Sequence, residues 1–311
     1  MTTTNIQKTE GGPKILLNSG NLIPLIGLGT YKIVDQTLMD SSVDTALKCG
    51  YRFFDTAKLY QNEKQLGNSL EKLLPKYKLK REDIFLLTKF SPFSAEKATE
   101  EIPKLIEESL KNLKTSYIDL VLIHCPKPDE NDNNDKNGNS ASRRVNWQTL
   151  EKIPVEKVHS IGVSNYEVRH LEEMADYSNK KPSVNQIEFH PHFRRNDIRE
   201  FCKKEGIHLQ ASKQQPELLG DPVVRKLSEK YKITPQKLLL SFAVSQGLKF
   251  SEKTKISFHK GIGVVPKSSN PEWICSNFDC LDVKLTNEDL EELNNIPISK
   301  NYIRPTPWLV L

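Results

Sequence analysis

The sequence has no apolar run long enough to span a bilayer, and its first twelve residues are polar. These absences predict neither a membrane span nor a secretory signal. The five cysteines include no CxxC pair, and their odd number suits reduced thiols better than a disulfide framework. We therefore expect a cytoplasmic protein with reduced cysteines.

A strong excess of charge is also lacking. The chain carries 45 Lys and Arg against 40 Asp and Glu, a net charge of +5. The basic residues are spread out, without the stripe of interleaved aromatics found in nucleic-acid binders. The charge pattern therefore predicts no nucleic-acid partner, although a small positive balance fits an anionic cofactor.

What the chain does have is an alternation of apolar, β-branched runs with amphipathic stretches. The eight runs cover residues 23–31, 51–54, 84–89, 118–124, 159–165, 183–189, 207–212 and 262–267. Between them, segments such as 62–74 and 102–114 repeat apolar residues at three- and four-residue steps, which is typical of helices. Eight successive units of one strand and one helix predict an α/β fold, a (β/α)8 TIM barrel.

The alternative is an open, doubly wound sheet. Such a sheet usually carries a GxGxxG turn after its first strand, but here Gly27 and Gly29 are followed by Thr30 and Tyr31. The barrel is therefore preferred, as one domain over residues 1–311. We expect a polar loop at 127–140, an insertion at 248–261 and a C-terminal tail at 298–311.

Four polar residues lie at or just beyond the ends of three predicted strands. They are Asp55, Tyr60, Lys89 and His124. The carboxyl ends of parallel strands meet at one edge of a barrel, where such folds hold their active sites. Taken singly, each has a simpler explanation: a helix N-cap for Asp55, packing for Tyr60, snorkelling for Lys89 and a core position for His124. Those explanations do not predict the four complementary groups together.

The four side chains suit the protonation of a carbonyl oxygen. A tyrosine has a pKa near ~10 and needs help to act as an acid at neutral pH. A lysine cation about 4 Å away favours phenolate by roughly 4 kcal/mol at an effective dielectric of about 20, so we expect Lys89 to lower the pKa of Tyr60. Asp55 would hold the lysine and take back part of the effect, and a neutral His124 can hydrogen-bond the substrate oxygen.

Several motifs closely resemble the aldo-keto reductase family. They are GLGTYK (27–32), GYRFFDTAKLYQNEKQLG (50–67), LTKF (87–90), DLVLIHCP (119–126), SIGVSN (160–165), NQIEFHP (185–191) and VVPKSSNP (264–271). The resemblance covers residues 14 to 297. It implies a barrel that binds NADP(H) without a Rossmann fold, Tyr60 as general acid, Lys89 and Asp55 as its tuning pair, and His124 as the residue that orients the carbonyl.

The resemblance also implies a cofactor site and a substrate pocket. The cofactor-binding residues would be Thr30, Tyr31, Ser164, Asn165, Gln186, Lys267, Ser268 and Asn277. Of these, Lys267 and Ser268 would hold the 2′-phosphate of NADPH. In this architecture, loops and the C-terminal tail line the substrate pocket, so we expect Tyr31, Cys125 and Trp308 there.

The chain departs from the family pattern around the cofactor. Trp273 stands where the family usually has an Arg that helps hold the 2′-phosphate, which leaves NADH open as a second cofactor. The segment 210–213, QASK, lacks the Tyr that usually stacks on nicotinamide. The four matching catalytic residues and Lys267 still predict NADPH-dependent reduction of small aldehydes and ketones. The resemblance implies a monomer. A low-activity or inactive barrel that senses the cofactor as a regulatory protein is the alternative.

His190 and His192 have a spacing that suits two metal ligands. No cysteine or carboxylate partner is evident nearby in the sequence, and the family shows this pattern without metal. We therefore predict a structural role and no metal site.

Overall fold

The computed structural model describes residues 11–212, 216–246, 261–302 and 309–311. Its strands are β1 Lys14–Leu16, β2 Leu22–Pro24, β3 Leu28–Gly29, β4 Phe53–Asp55, β5 Phe85–Phe90, β6 Ile118–Ile123, β7 Val158–Ser164, β8 Val184–Glu188, β9 His208–Ser212 and β10 Gly263–Val264. Its α-helices are α1 Gln36–Cys49, α2 Glu63–Leu73, α3 Ala95–Leu113, α4 Lys136–Glu151, α5 Val168–Met174, α6 Asn196–Glu205, α7 Pro216–Leu219, α8 Pro222–Tyr231, α9 Pro235–Ser245, α10 Pro271–Phe278 and α11 Asn287–Asn294.

Strands β3 to β10 form one parallel, eight-stranded sheet in the order of the chain. The sheet closes on itself, because parallel bridges join Ile26 to Val264 and Gly29 to Lys267. The Gly27 amide donates to the Val264 carbonyl oxygen at 2.9 Å across this junction. The predicted (β/α)8 barrel is confirmed, and the open-sheet alternative is wrong.

The first predicted strand, 23–31, is two strands in the structure. Its start pairs antiparallel with β1, as the hairpin β1–β2, and only β3 enters the barrel. Leu17 and Ile23 of the hairpin region pack with Phe53 and Phe85, the first residues of β4 and β5. The hairpin therefore covers the amino-terminal end of the barrel and leaves the carboxyl ends of the strands for polar groups.

Helix α3 shows why the outer helices form. Its buried residues Ala98, Ile102, Ile106, Leu110 and Leu113 recur every three or four positions, so one face of the helix is apolar. That face belongs to the large apolar cluster between the strands and the surrounding helices. Burial of this face ties the helix to the outside of the barrel.

Helix α4 corrects the predicted polar loop at 127–140, because its first five residues, 136–140, belong to that range. Asp135 caps the helix by accepting a hydrogen bond from the Gly138 amide at 3.0 Å. Much of the buried face is polar, with Asn139, Arg143 and Asn146 all buried. Apolar periodicity could not reveal such a face. The helix ends at Glu151, three residues before Pro154.

Two other predicted segments are described only in part. The expected insertion at 248–261 lies outside the described residues except for Gly261, and the C-terminal tail is described at 298–302 and 309–311. Across the described ranges, no helix combines the length and the apolar character that a bilayer crossing needs.

The expectation that all five cysteines are reduced is wrong. Cys49 at the end of α1 and Cys275 in α10 form a disulfide, with their Cα atoms 5.4 Å apart. The two residues are 226 positions apart, so sequence spacing gave no sign of the pairing. It forms because the fold packs α1 against α10. Cys125, Cys202 and Cys280 are free.

Counting thiols checks this disulfide directly. We expect three titratable thiols in the protein unfolded without reductant and five after reduction, because only the Cys49–Cys275 pair is blocked. A Cys49→Ser variant leaves Cys275 without its partner, so four thiols are expected with or without reductant. Five thiols in the unreduced wild-type protein would contradict the assignment.

Candidate active site

The barrel brings the four predicted catalytic residues to one edge. Asp55 is the last residue of β4, Lys89 lies one residue before the end of β5, and His124 directly follows β6. Tyr60 ends a short 3-10 helix, Lys58–Tyr60, that follows β4. Neighbouring strands are in parallel register, and the His124 amide donates to the Phe90 carbonyl oxygen at 2.8 Å.

Lys89 and Asp55 form a buried ion pair. The Lys89 ammonium donates to Asp55 Oδ1 at 2.8 Å, to Asp55 Oδ2 at 2.9 Å and to the Thr56 carbonyl oxygen at 2.8 Å. Both side chains are nearly inaccessible, at 0% and 4%. Burial lowers the pKa of Lys89, while the charge of Asp55 acts in the opposite direction.

The Tyr60 ring lies among the other candidates. Lys89 Nζ is 5.0 Å from the ring centroid. The His124 ring centroid is 6.0 Å away in an edge-to-face arrangement, and that of Tyr31 is 5.0 Å away. The phenol, the ammonium and the imidazole therefore occupy one small region, and Tyr60 itself is only partly buried.

The expectation that Lys89 lowers the pKa of Tyr60 is wrong for the protein alone. The pKa of Tyr60 is raised well above its usual value, first by burial and then by the charge of Asp55. The lysine cation is held by that same carboxylate, which offsets its pull on the phenol. In the protein alone, the phenol is therefore a weaker acid than a free tyrosine, and it is protonated at neutral pH.

Buried polar residues around the four candidates hold the strand ends in place, and among them Asn62 had no role assigned from the sequence. Thr30 is fully buried and donates from its hydroxyl to the Asp55 carbonyl oxygen at 2.9 Å. Asn62 donates to the carbonyl oxygens of Thr30 and Ile33 at 2.8 and 2.9 Å, and it accepts from Thr56 Oγ1 at 2.6 Å. Thr30, predicted as a cofactor contact, thus supports Asp55, and Asn62 joins three segments around the site.

Two glutamines extend the ion pair across the barrel. Gln186 Nε2 donates to Asp55 Oδ2 at 2.8 Å and also contacts Gln210 Oε1. The two glutamines lie opposite each other in the register of β8 and β9. Gln186 was predicted as a cofactor contact. In the sequence, Gln210 drew attention only as the first residue of the segment 210–213, which lacks the Tyr usual in the family. No local signal shows that its side chain points inward.

Asn165 and Ser164 connect three neighbouring strand ends. Ser164 donates from its hydroxyl to the Gln186 carbonyl oxygen at 2.8 Å. Asn165 has a φ of 61° and donates from Nδ2 to the His124 carbonyl oxygen at 2.9 Å. Asn adopts this left-handed conformation more readily than most residues do. The hydrogen bond from Nδ2 then holds the Asn165 amide beside His124.

The predicted cofactor residues in the connection from β10 to α10 and on α10 line a cleft of about 750 Å³. Tyr31 lies at its wall, together with Lys267, Ser268 and Asn277. Trp273 also lines it, with 61% of its surface exposed. The cleft thus combines a lysine near the start of α10 with an exposed aromatic face, and these groups fit the phosphate and the adenine of a dinucleotide.

His190 and His192 have carboxylate partners that the sequence did not indicate. His190 Nε2 lies 2.8 Å from Glu188 Oε1, and His192 Nε2 lies 2.9 Å from Asp221 Oδ2. His192 Nδ1 also contacts the Tyr302 hydroxyl at 2.9 Å. The predicted structural role stays a prediction, and these contacts join the end of β8 to the start of α8 and to the C-terminal segment.

Comparison with known proteins gives the family. The model of the Aldo/keto reductase family matches residues 25–214. The chain is 34% identical over 298 residues to aldose reductase C of Dictyostelium discoideum, covering 90% of this chain and 88% of that protein. It is 31% identical over 283 residues to glyoxal reductase of Bacillus subtilis, covering 90% and 91%. The chain belongs to the aldo/keto reductase family.

Solved structures agree with this assignment. The aldose reductase from Schistosoma japonicum superposes with a TM-score of 0.80 at 31% identity, covering 94% of both chains. An aldo/keto reductase from Brucella melitensis gives a TM-score of 0.76 at 33% identity, covering 91% of this chain and 98% of that one. Family membership supports an oxidoreductase that acts on carbonyl compounds, and this family generally uses nicotinamide cofactors.

The predicted substrate residues of this aldo/keto reductase are less completely described. Cys125 directly follows His124 and is partly buried, and burial raises the pKa of its thiol to about 12. A thiol with so high a pKa stays protonated at neutral pH and is a poor nucleophile. Tyr31 lies beside Tyr60, as noted above, whereas Trp308 lies outside the described residues.

Proposed function

We propose that this aldo/keto reductase reduces small aldehydes and ketones to alcohols with NADPH, and that Tyr60 is its general acid. The observation that carries the proposal is the cluster of Tyr60, Lys89 and His124, which the Tyr31 ring joins to the cleft that Lys267 and Asn277 line. Hydride for the carbonyl carbon comes from the reduced nicotinamide when NADPH is bound.

The chain's own residues would supply the proton and orient the substrate. The Tyr60 phenol is protonated at neutral pH, and it can donate its proton to the oxygen of the substrate as negative charge develops there. His124 lies at the edge of the Tyr60 ring, where a neutral imidazole can hydrogen-bond the same oxygen. The Lys89–Asp55 pair lies next to the Tyr60 ring. Its ammonium group would therefore be near the phenolate that forms when Tyr60 gives up its proton.

The cofactor cleft supports NADPH over NADH. Lys267 is exposed at the cleft, and the Ser268 hydroxyl accepts from the Asn270 amide at 3.1 Å beside the start of α10. A cation and a helix N-terminus together suit a phosphate monoester such as the 2′-phosphate. We further propose that the enzyme is a cytoplasmic monomer, because the resemblance to its family implies a monomer and the sequence predicts no secretory signal.

Two measurements on one preparation test the function. We expect NADPH to bind with a Kd below about 10 μM, roughly 7 kcal/mol, in a fluorescence titration, and to be consumed when an activated aldehyde such as 4-nitrobenzaldehyde is added.

Lys267→Met should weaken NADPH binding about tenfold, because the contact to the 2′-phosphate is charge-assisted, and should leave NADH binding unchanged.

The outcomes separate the two candidate functions. Tight NADPH binding without turnover of any aldehyde or ketone in a broad panel would favour the cofactor-sensing regulatory protein over the reductase. An equal loss of NADPH and NADH affinity in Lys267→Met would show that Lys267 does not read the 2′-phosphate.

A further inference from the structure

Helix α10 forms part of the wall of the cofactor cleft. Trp273, Ser276 and Asn277 of this helix line the cleft, next to Lys267 and Ser268 in the connection that precedes it. The helix has only eight residues, and so short a helix is not stable in isolation. Its position, and with it this wall of the cleft, therefore depends on its attachments to the rest of the barrel.

Helix α10 is attached to α1 and to the residues that follow α1. The Tyr51 hydroxyl donates to the Ile274 carbonyl oxygen at 3.1 Å, and the rings of Tyr51 and Phe278 are 4.8 Å apart. The disulfide from Cys49 to Cys275 adds a covalent link between the two helices. It holds α10 near its middle, where the residues on either side line the cleft.

The five cysteines differ in how readily they exchange with other thiols. Cys49 and Cys275 are only partly buried. Cys202 and Cys280 are fully buried, and burial raises the pKa of the Cys202 and Cys125 thiols to about 12. Thiols with so high a pKa react slowly. A reagent that acts on thiols and disulfides is therefore expected to act first on the pair that holds α10.

We propose that the Cys49–Cys275 disulfide is a redox switch, which a dithiol reductant opens and whose opened form binds NADPH more weakly because α10 is held less firmly. The inference rests on the proposed use of NADPH. It also fits the proposed location, because the disulfides of cytoplasmic proteins are usually transient and either catalytic or redox-sensing. The pair is not among the proposed catalytic residues, which favours the sensing role.

Opening the disulfide is a thiol–disulfide exchange. A thiolate of the dithiol attacks one sulfur of the pair, the bond between Cys49 and Cys275 breaks, and a mixed disulfide forms. The second thiol of the reductant then attacks the mixed disulfide and releases the enzyme thiol. In total, two electrons and two protons pass to Cys49 and Cys275, and the reductant is left as a disulfide.

Cofactor titrations of the two redox forms test the switch. We expect protein reduced with dithiothreitol to bind NADPH about fivefold more weakly than the oxidised protein, at the lower end of typical coupling between two sites. The KM for NADPH should rise and kcat for aldehyde reduction should not fall, because none of the four proposed catalytic residues lies on α1 or α10. Equal NADPH affinity of the two forms would overturn the switch and leave the proposed reductase intact.

Cys49→Ser is the control variant, because it removes the disulfide and leaves the sequence of α10 unchanged. It should bind NADPH as the reduced wild type does, with or without dithiothreitol. Cys49→Ala takes its place if that protein does not fold. A response to dithiothreitol that persists in the variant would show that the reductant acts elsewhere, and the proposal would be wrong.

The coupling can also be measured without turnover and without a variant. If the oxidised form binds NADPH about fivefold more tightly, saturating NADPH must favour the disulfide by the same factor. Thiol counts across glutathione buffers should then place half-reduction at a [GSH]²/[GSSG] about fivefold higher with NADPH than without it. An unchanged half-reduction point contradicts the switch, whereas failure of both redox forms to bind NADPH overturns the proposed function itself.

Discussion

Replacing Tyr60 with phenylalanine is expected to lower kcat for aldehyde reduction by about 10³-fold, or ~4 kcal/mol of transition-state stabilisation. The phenol is the proton donor of the proposed reaction, and it is protonated at neutral pH. The ring contacts with Tyr31 and His124 survive the change, so NADPH affinity and the melting temperature should stay close to those of the wild type. Steady-state kinetics, fluorescence titration and thermal melting measure the three quantities.

Tyr117 supplies a matched control for this substitution. It lies just before β6, at the opposite end of that strand from His124, and its ring stacks on His159 at 4.2 Å. Tyr117→Phe should retain wild-type kcat. Equal rates for Tyr60→Phe and the wild type would remove the phenol from the mechanism, whereas a large loss of NADPH affinity would mean that Tyr60 acts in cofactor binding.

Replacing Lys89 with methionine is expected to reduce the free energy of unfolding by about 3–5 kcal/mol. The change removes the three donated hydrogen bonds of Lys89 and leaves the Asp55 carboxylate buried without its cation. Aldehyde reduction should fall strongly as well, because no cation remains near the Tyr60 phenolate. Denaturant unfolding and steady-state kinetics on the same variant measure both effects.

A second variant separates the charge imbalance from lost packing. In Lys89→Met/Asp55→Leu the unpaired carboxylate is gone, so most of the lost stability should return while reduction stays impaired. Lys104→Met breaks an exposed pair with Glu100 and should change stability little. A Lys89→Met protein as stable as the wild type would show that the buried pair contributes nothing net to folding.

Much of the site could be predicted because its information is local. Asp55, Lys89 and His124 each end an apolar run, and the carboxyl ends of parallel strands share one edge in any barrel. The strand runs themselves were visible as continuous apolar segments, since a barrel strand is buried on both faces. These features required no knowledge of which strands pair.

Other features depend on partners that are distant in sequence. The buried face of α4 is largely polar, so neither composition nor periodicity separates the start of the helix from a loop. The pKa of Tyr60 is raised first by burial and then by the charge of Asp55, and the sequence-based prediction weighted the lysine too heavily. Cys49 and Cys275 meet only because α1 packs against α10.

The sequence alone determined the barrel, the family and the identity of the four polar groups at the strand ends, because hydrophobic patterning and short motifs are properties of neighbouring residues. Only the tertiary structure decided which of these groups contact each other and what they do to one another's protonation. It also decided that Gln186 donates to Asp55 and contacts Gln210. Distances, burial and hydrogen-bond direction arise when residues 22 or more positions apart come side by side in neighbouring strands, and no local pattern records them.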